Sequence, residues 1–226
     1  MNHFGEQSGP NSVGLSLVKT PFLAYLNHGD IWLPDHLEIA IHTLKSGKYK
    51  FYMGGTAYSR FIDNTKEQPE LVVDEINIEN RSPSDPFFRK TSKYEPVSSW
   101  ILSRMTAEKI GLWNYYTDLY RVPTEDYLLR AWRSKCKFYF STTVTTWVIV
   151  PQSIIDESIK SVNSGNKEHS SILKMLESNS GVEIRNYLTC KFDQWNTKKP
   201  EEREKIARSS SITKPPTNSK THIRLI

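Results

Sequence analysis

RAWRSKCKFYFSTTVTTWVIV, residues 130–150, decides how the chain is built and raises the question of what it binds. Four cations (Arg130, Arg133, Lys135, Lys137) and two tryptophans share this stretch, and it contains no acid. From Arg133 to Phe140 the residues alternate, with Arg133, Lys135, Lys137 and Tyr139 in one set and Ser134, Cys136, Phe138 and Phe140 in the other. Successive side chains of a strand point to opposite faces. The pattern therefore predicts a strand with a cationic face backed by an aromatic one. Charges two residues apart stand roughly 7 Å apart along a strand and repel, so this face needs an anionic partner or interleaved acids. Tyr139 or Trp132 would be available to stack on a base. A lysine-protected sheet edge is the reading that requires no ligand. After Thr146 the residues TWVIVP are apolar on both faces, which suits a strand entering the core.

Outward from this strand, KYKFYMGGTAYSRFI (residues 48–62) predicts a hairpin whose aromatic-rich arms flank Gly54-Gly55. LVVDEINI (71–78) predicts another strand, and the proline-bearing run 80–96 a long surface loop. Leu37, Ala40, Ile41 and Leu44 follow helical spacing after Asp35, with Gly47 as the stop, although Leu37, Ile39 and Ile41 also alternate. From Ser98 the pattern predicts helix. Trp100, Ile101 and Met105 share one face, Thr106 caps a second segment, and Ile110, Trp113, Tyr116, Leu119 and Tyr120 form a stripe that ends at Pro123. Thr124-Glu125-Asp126 opens a short helix that reaches Trp132. Further helices are expected after Pro151 and over 167–181, while VEIRNYLTCKFDQW (182–195) is open between helix and strand.

This succession implies an α+β fold: a mixed, mostly antiparallel sheet packed with several helices, with flexible N- and C-terminal segments. The domain organisation expected is a flexible arm over 1–16, a single α+β domain over 17–196 and a basic, largely flexible tail over 197–226. With 226 residues, 37% hydrophobic and 12% aromatic, the chain can bury a sizeable core and is not disordered as a whole.

The net charge of +5 is unevenly spread. Residues 61–126 carry 8 cations and 12 acids, whereas residues 127–226 carry 17 cations and 9 acids. A positive half on a mildly acidic remainder points to a directional interaction with a polyanion. The candidate polyanion-binding residues are Arg130, Arg133, Lys135 and Lys137 of the basic strand, with Lys198, Lys199, Arg203, Lys205 and Arg208 of the tail. Lys198-Lys199 followed by Lys205 and Arg208 has the loose form of a bipartite nuclear address.

Motifs for chemistry are absent. The six histidines form no zinc-binding spacing with one another or with the two cysteines, and no P-loop, dinucleotide fingerprint or nucleophile elbow occurs, so no cofactor and no catalytic residue is expected. The best enzymatic alternative is an acidic cluster of Asp63, Glu67, Glu70, Asp74, Glu75 and Glu79 that could hold Mg²⁺ for phosphodiester cleavage. A soluble protein-interaction module whose aromatics are all core is the other. The N-terminal MNHFGEQSGP has neither the basic start nor the apolar core of a secretory leader, and two widely spaced cysteines suit a reducing compartment. The reading that accommodates these features is a non-catalytic structural or assembly protein. Its partners would be nucleic acid or a ribonucleoprotein, an anionic membrane surface, and further copies of itself. By physical class this is the profile of a viral matrix or nucleocapsid-associated protein, in cytoplasm, nucleus or virion.

Overall fold

The computed structural model describes residues 7–27, 29–62, 70–78, 96–120, 122–150 and 162–203, with side chains from residue 170 onward in the last span. In chain order the elements are α1 (Ser8–Leu17), β1 (Phe22–Ala24), β2 (Asp30–Trp32), α2 (His36–Lys45), β3 (Phe51–Ile62), β4 (Glu70–Asn77), β5 (Trp100–Ser103), α3 (Arg104–Ile110), α4 (Pro123–Arg133), β6 (Phe138–Ile149), α5 (Val162–Ser178) and α6 (Gly181–Thr197). Single 3-10 turns lie at Val97–Ser99 and Tyr116–Asp118. The fold is α+β, with a six-stranded mixed sheet in the order β1-β5-β3-β6-β2 and β4 joined to β3. Four of the five strand pairings are antiparallel; β3 and β6 run parallel.

β3 is the hub of the sheet. Its first residues pair with β5 and its later ones with β4 along one edge, while β6 follows the other edge. Strands so enclosed are buried on both faces, and Phe51–Ala57 are buried without interruption. Gly54-Gly55 lies in mid-strand and makes no hairpin. Neither glycine has a positive φ. Their reason is close approach: the β3–β6 register shifts here, and a Cβ on Gly55 would sit 2.8 Å from the carbonyl oxygen of Thr143. A Cβ on Gly54 would run into the hydroxyl of Thr145. Only residues without side chains let the β6 backbone close onto β3 at this point.

Alternation along the strands sends side chains into separate layers. Phe51, Met53, Trp100, Leu102 and Phe138 meet Leu15 of α1, Ala107 and Ile110 of α3, and Tyr127, Leu128 and Ala131 of α4. Trp113 stacks on Tyr127 within this layer, with ring centroids 4.4 Å apart. Tyr52 and Ile101 pack under Ala40 and Leu44 of α2. Ala57, Leu71, Val73 and Trp147 are covered by Ile172 of α5 and by Ile184 and Leu188 of α6.

Several local expectations need correction. Residues 133–140 are not one strand: Arg133 ends α4, Ser134-Lys135 turns, and the strand begins at Phe138. The cationic face built on that alternation therefore does not exist. Val97–Ser103 is a 3-10 turn and a strand rather than helix, and Ser103, not Thr106, caps α3. Gly111, at φ 89, stops that helix before the aromatic stripe can continue it. Residues 182–195 are helical within α6. Residues 8–17, read as part of an arm, form α1, whose Leu15 reaches the core. The loop read over 80–96 lies outside the described residues except for Pro96.

Candidate anion-binding site

α4 begins with Pro123 at its first turn, carries Glu125 and Asp126 near its N-terminus, and ends with Arg130 and Arg133 in its last turn. Each sign complements the helix dipole at its own end. Thr124, Tyr127, Leu128 and Ala131 form the buried face, which leaves Trp132 and Arg133 outward. The exit is a Schellman turn: Cys136 N–H donates to Ala131 O at 3.1 Å and Lys135 N–H to Trp132 O at 2.9 Å. This geometry requires a left-handed residue after the cap, a position glycine usually fills. Here it is Lys135, at φ 58, the one non-glycine with positive φ among the described residues.

That turn forms one wall of a cavity of about 250 Å³. Lys50, just ahead of β3, and Lys109, near the end of α3, meet Lys135 around it. The backbone fixes the approach. Lys50 N–H donates to Lys137 O at 2.9 Å, and Ser103 N–H donates to Lys50 O at 3.2 Å, so the ends of β3, β5 and β6 are held together. Lys109 Nζ donates to the Ser134 carbonyl at 3.2 Å, and this bond crosses from α3 to the turn. The hydroxyls of Ser103 and Thr106 lie 2.7 Å apart on the same wall. Met105, Ile110 and Cys136 supply the apolar part of the lining. Among the described residues, no Asp or Glu lines the cavity. Among the described residues, the ammonium groups of Lys50 and Lys135 have no carboxylate partner, and the nearby Glu108 pairs with Arg104 at 3.4 Å. Burial pushes the Cys136 thiol up to about 12, although the charges of Lys109 and Lys50 pull it down. The thiol therefore stays neutral and adds no negative charge to the site.

The other predicted cations are dispersed. Arg130 is committed internally: Nε pairs with Asp126 Oδ2 at 2.9 Å and Nη1 donates to Ile110 O at 2.8 Å. Arg133 and Lys137 are exposed beside the Lys135 turn. Lys198 lies over the Trp195 ring at 5.8 Å, and Arg203 donates to Asn196 Oδ1 at 3.2 Å. Trp195 packs on Ile62 and Val72, at the far end of β3 from Lys50. A 12-residue strand spans roughly 35 Å, so the 198–203 cations and the 133–137 cations do not share a surface. Lys205 and Arg208 lie outside the described residues. Tyr139 is taken up in packing against Tyr49 and Tyr52. Lys50 and Lys109 escaped the sequence reading because nothing in their spacing relates them to Lys135; only the sheet brings the three together.

Two further clusters bear on chemistry. Of the acidic group, Asp63, Glu67 and Glu79 lie outside the described residues, and Asp74 pairs with Arg60 at 3.0 Å. No set of three metal-ligating side chains occurs among the described residues. His36 is fully buried and stacked on Trp32, with centroids 5.0 Å apart and Nδ1 2.9 Å from Thr145 Oγ1; among the described residues its Nε2 has no hydrogen-bond partner. Burial draws its pKa down to about 4 against the opposing pull of Asp35, so the imidazole is a neutral core group at physiological pH. No helix among the described residues is long and apolar enough to cross a membrane. Compared with models of known protein families and with curated protein sequences, the chain matches none.

Proposed function

We propose that the protein is a non-catalytic, basic assembly protein that binds a nucleic-acid-containing complex, of the physical class of viral matrix and nucleocapsid-associated proteins. The observation that carries this reading is the meeting of Lys50, Lys109 and Lys135 on one cavity that no carboxylate of the described residues lines. Like charges lining one cavity repel one another, and an incoming polyanion relieves that repulsion. Lysine is a compact point charge suited to phosphate oxygens, and each phosphate it neutralises releases counterions from the nucleic acid. Arg133 and Lys137 extend the positive surface outward from the cavity. Free thiols at Cys136 and Cys190 accord with work in a reducing compartment, in cytoplasm, nucleus or virion.

The test is a salt titration of single-stranded RNA binding, with DNA and anionic vesicles as parallel arms. The Lys50→Ala/Lys109→Ala/Lys135→Ala triple variant replaces three exposed side chains, so circular dichroism should show the native fold. The slope of log affinity against log salt should fall by about 2, since each single-strand phosphate contact contributes about 0.7. RNA binding by the triple variant equal to that of the native chain at every salt concentration would remove this site from the function. Binding of vesicles alone would replace nucleic acid with a membrane.

A further inference from the structure

We infer that the Lys50–Lys109–Lys135 cavity seats a clustered phosphate, the terminal di- or triphosphate of a nucleotide or nucleic-acid strand, in preference to an internal phosphodiester. The inference rests on the polyanion reading above and narrows it. An internal phosphodiester carries one negative charge, and successive charges along a strand are spread out. Three lysines line one cavity and their formal charge exceeds that of one phosphodiester, whereas a terminal phosphate carries about −1.5 to −2 and linked phosphoryl groups carry more. Size agrees: about 250 Å³ corresponds to about eight water volumes, room for linked phosphoryl groups rather than one small ion. Among the described residues, no aromatic ring lines the cavity. It therefore lacks the stacking platform by which single-strand binders hold bases.

Only one of the two hydroxyl protons in the Ser103–Thr106 pair is needed for their mutual bond, leaving the other to donate outward. Lys109 is steadied by its bond to the Ser134 carbonyl and keeps two N–H donors for a ligand. Lys135 holds a left-handed backbone position where glycine would be less strained.

The experiment compares one RNA sequence bearing a 5′-triphosphate or a 5′-hydroxyl, with inorganic triphosphate as competitor. Phosphoinositide-containing vesicles form a third arm. The triphosphate end should raise affinity at least about tenfold, the worth of a charge-assisted hydrogen bond, and inorganic triphosphate should cancel that gain. Lys135→Gly should lose most of the preference while melting no earlier than the native chain, because glycine suits the turn; loss of binding then cannot be ascribed to unfolding. Equal affinity for both RNAs, with no competition by inorganic triphosphate, overturns the inference. The broader reading survives that result if RNA binding still falls with salt and with the triple variant, and fails as well if it does not. Lys135-dependent binding to the vesicles with no binding to either RNA also overturns it, and assigns the cavity to a lipid headgroup.

Discussion

At the scale of single residues, His36 shows what burial does to a titratable group. Its folded pKa of about 4 lies below the ordinary 6.5 because the charged ring would lose its hydration, and the nearby Asp35 charge only partly offsets that loss. Between those two values the unfolded chain binds a proton that the folded chain does not, so stability rises with pH across this window. The contribution is complete above about pH 6.5 and is lost as pH falls toward 4; over the interval it amounts to about 3 kcal/mol. In His36→Gln, which cannot titrate, the drop in unfolding free energy from pH 7 to pH 4 should be smaller by about that amount in urea denaturation. Equal drops in the two proteins would mean that the ring is hydrated in the folded state. Lys135 is the opposite case, a residue exposed and charged at a position where its backbone is strained. Sequence displays both residue types plainly. It displays neither the burial of one nor the φ of the other, because both depend on the chain around them.

At the scale of elements, the ion pair between Asp35 and Arg185 joins residues 150 apart in sequence. Arg185 donates to both carboxylate oxygens, at 2.9 and 2.7 Å, and so fixes the start of α6 against the start of α2. Both side chains are less than one quarter exposed, and Asp35 makes no side-chain capping bond to its own helix. A double-mutant cycle of Asp35→Ala and Arg185→Ala therefore isolates the pair. It should return a coupling of about 2 kcal/mol; a coupling under about 0.5 kcal/mol would reduce the contact to surface decoration. α6 was legible in principle, because Ser180 and Glu183 form the S-x-x-E capping box and Ile184, Leu188 and Trp195 recur at helical spacing. The alternating Val182 and Ile184 concealed it. α4 and β4 follow from sequence because local signals agree there, acids in the first turn of α4 and the β-branched run of β4, whereas in α2 the stop at Gly47 competes with the alternation of Leu37, Ile39 and Ile41. The 48–62 and 133–140 segments depart from what their patterns predict for one shared reason. Glycine pairs and two-residue alternation have more than one cause, and the deciding contacts, Gly55 with Thr143 and Cys136 with Ala131, appear only when the segments have packed.

At the scale of the whole molecule, the excess of cations after residue 127 is divided between separate places. Lys135 lines one cavity with Lys50 and Lys109 near the start of β3, while Lys198 and Arg203 lie at the other end of that strand. Charges fixed around a cavity discriminate between ligands by distance and direction; net charge acts on all polyanions alike and is screened by salt. The two kinds of action can be separated by shortening the chain after Arg203. This removes 5 cations and 1 acid and lowers the net charge from +5 to +1, yet leaves every residue around the cavity in place. At low salt the shortened chain should bind any RNA more weakly, with a shallower salt dependence. Its ratio of affinities for 5′-triphosphate and 5′-hydroxyl RNA should equal that of the full chain, because that ratio belongs to Lys50, Lys109 and Lys135. A ratio that collapses to one after the cut would place the recognition of chain ends in residues 204–226 and leave the cavity without a ligand.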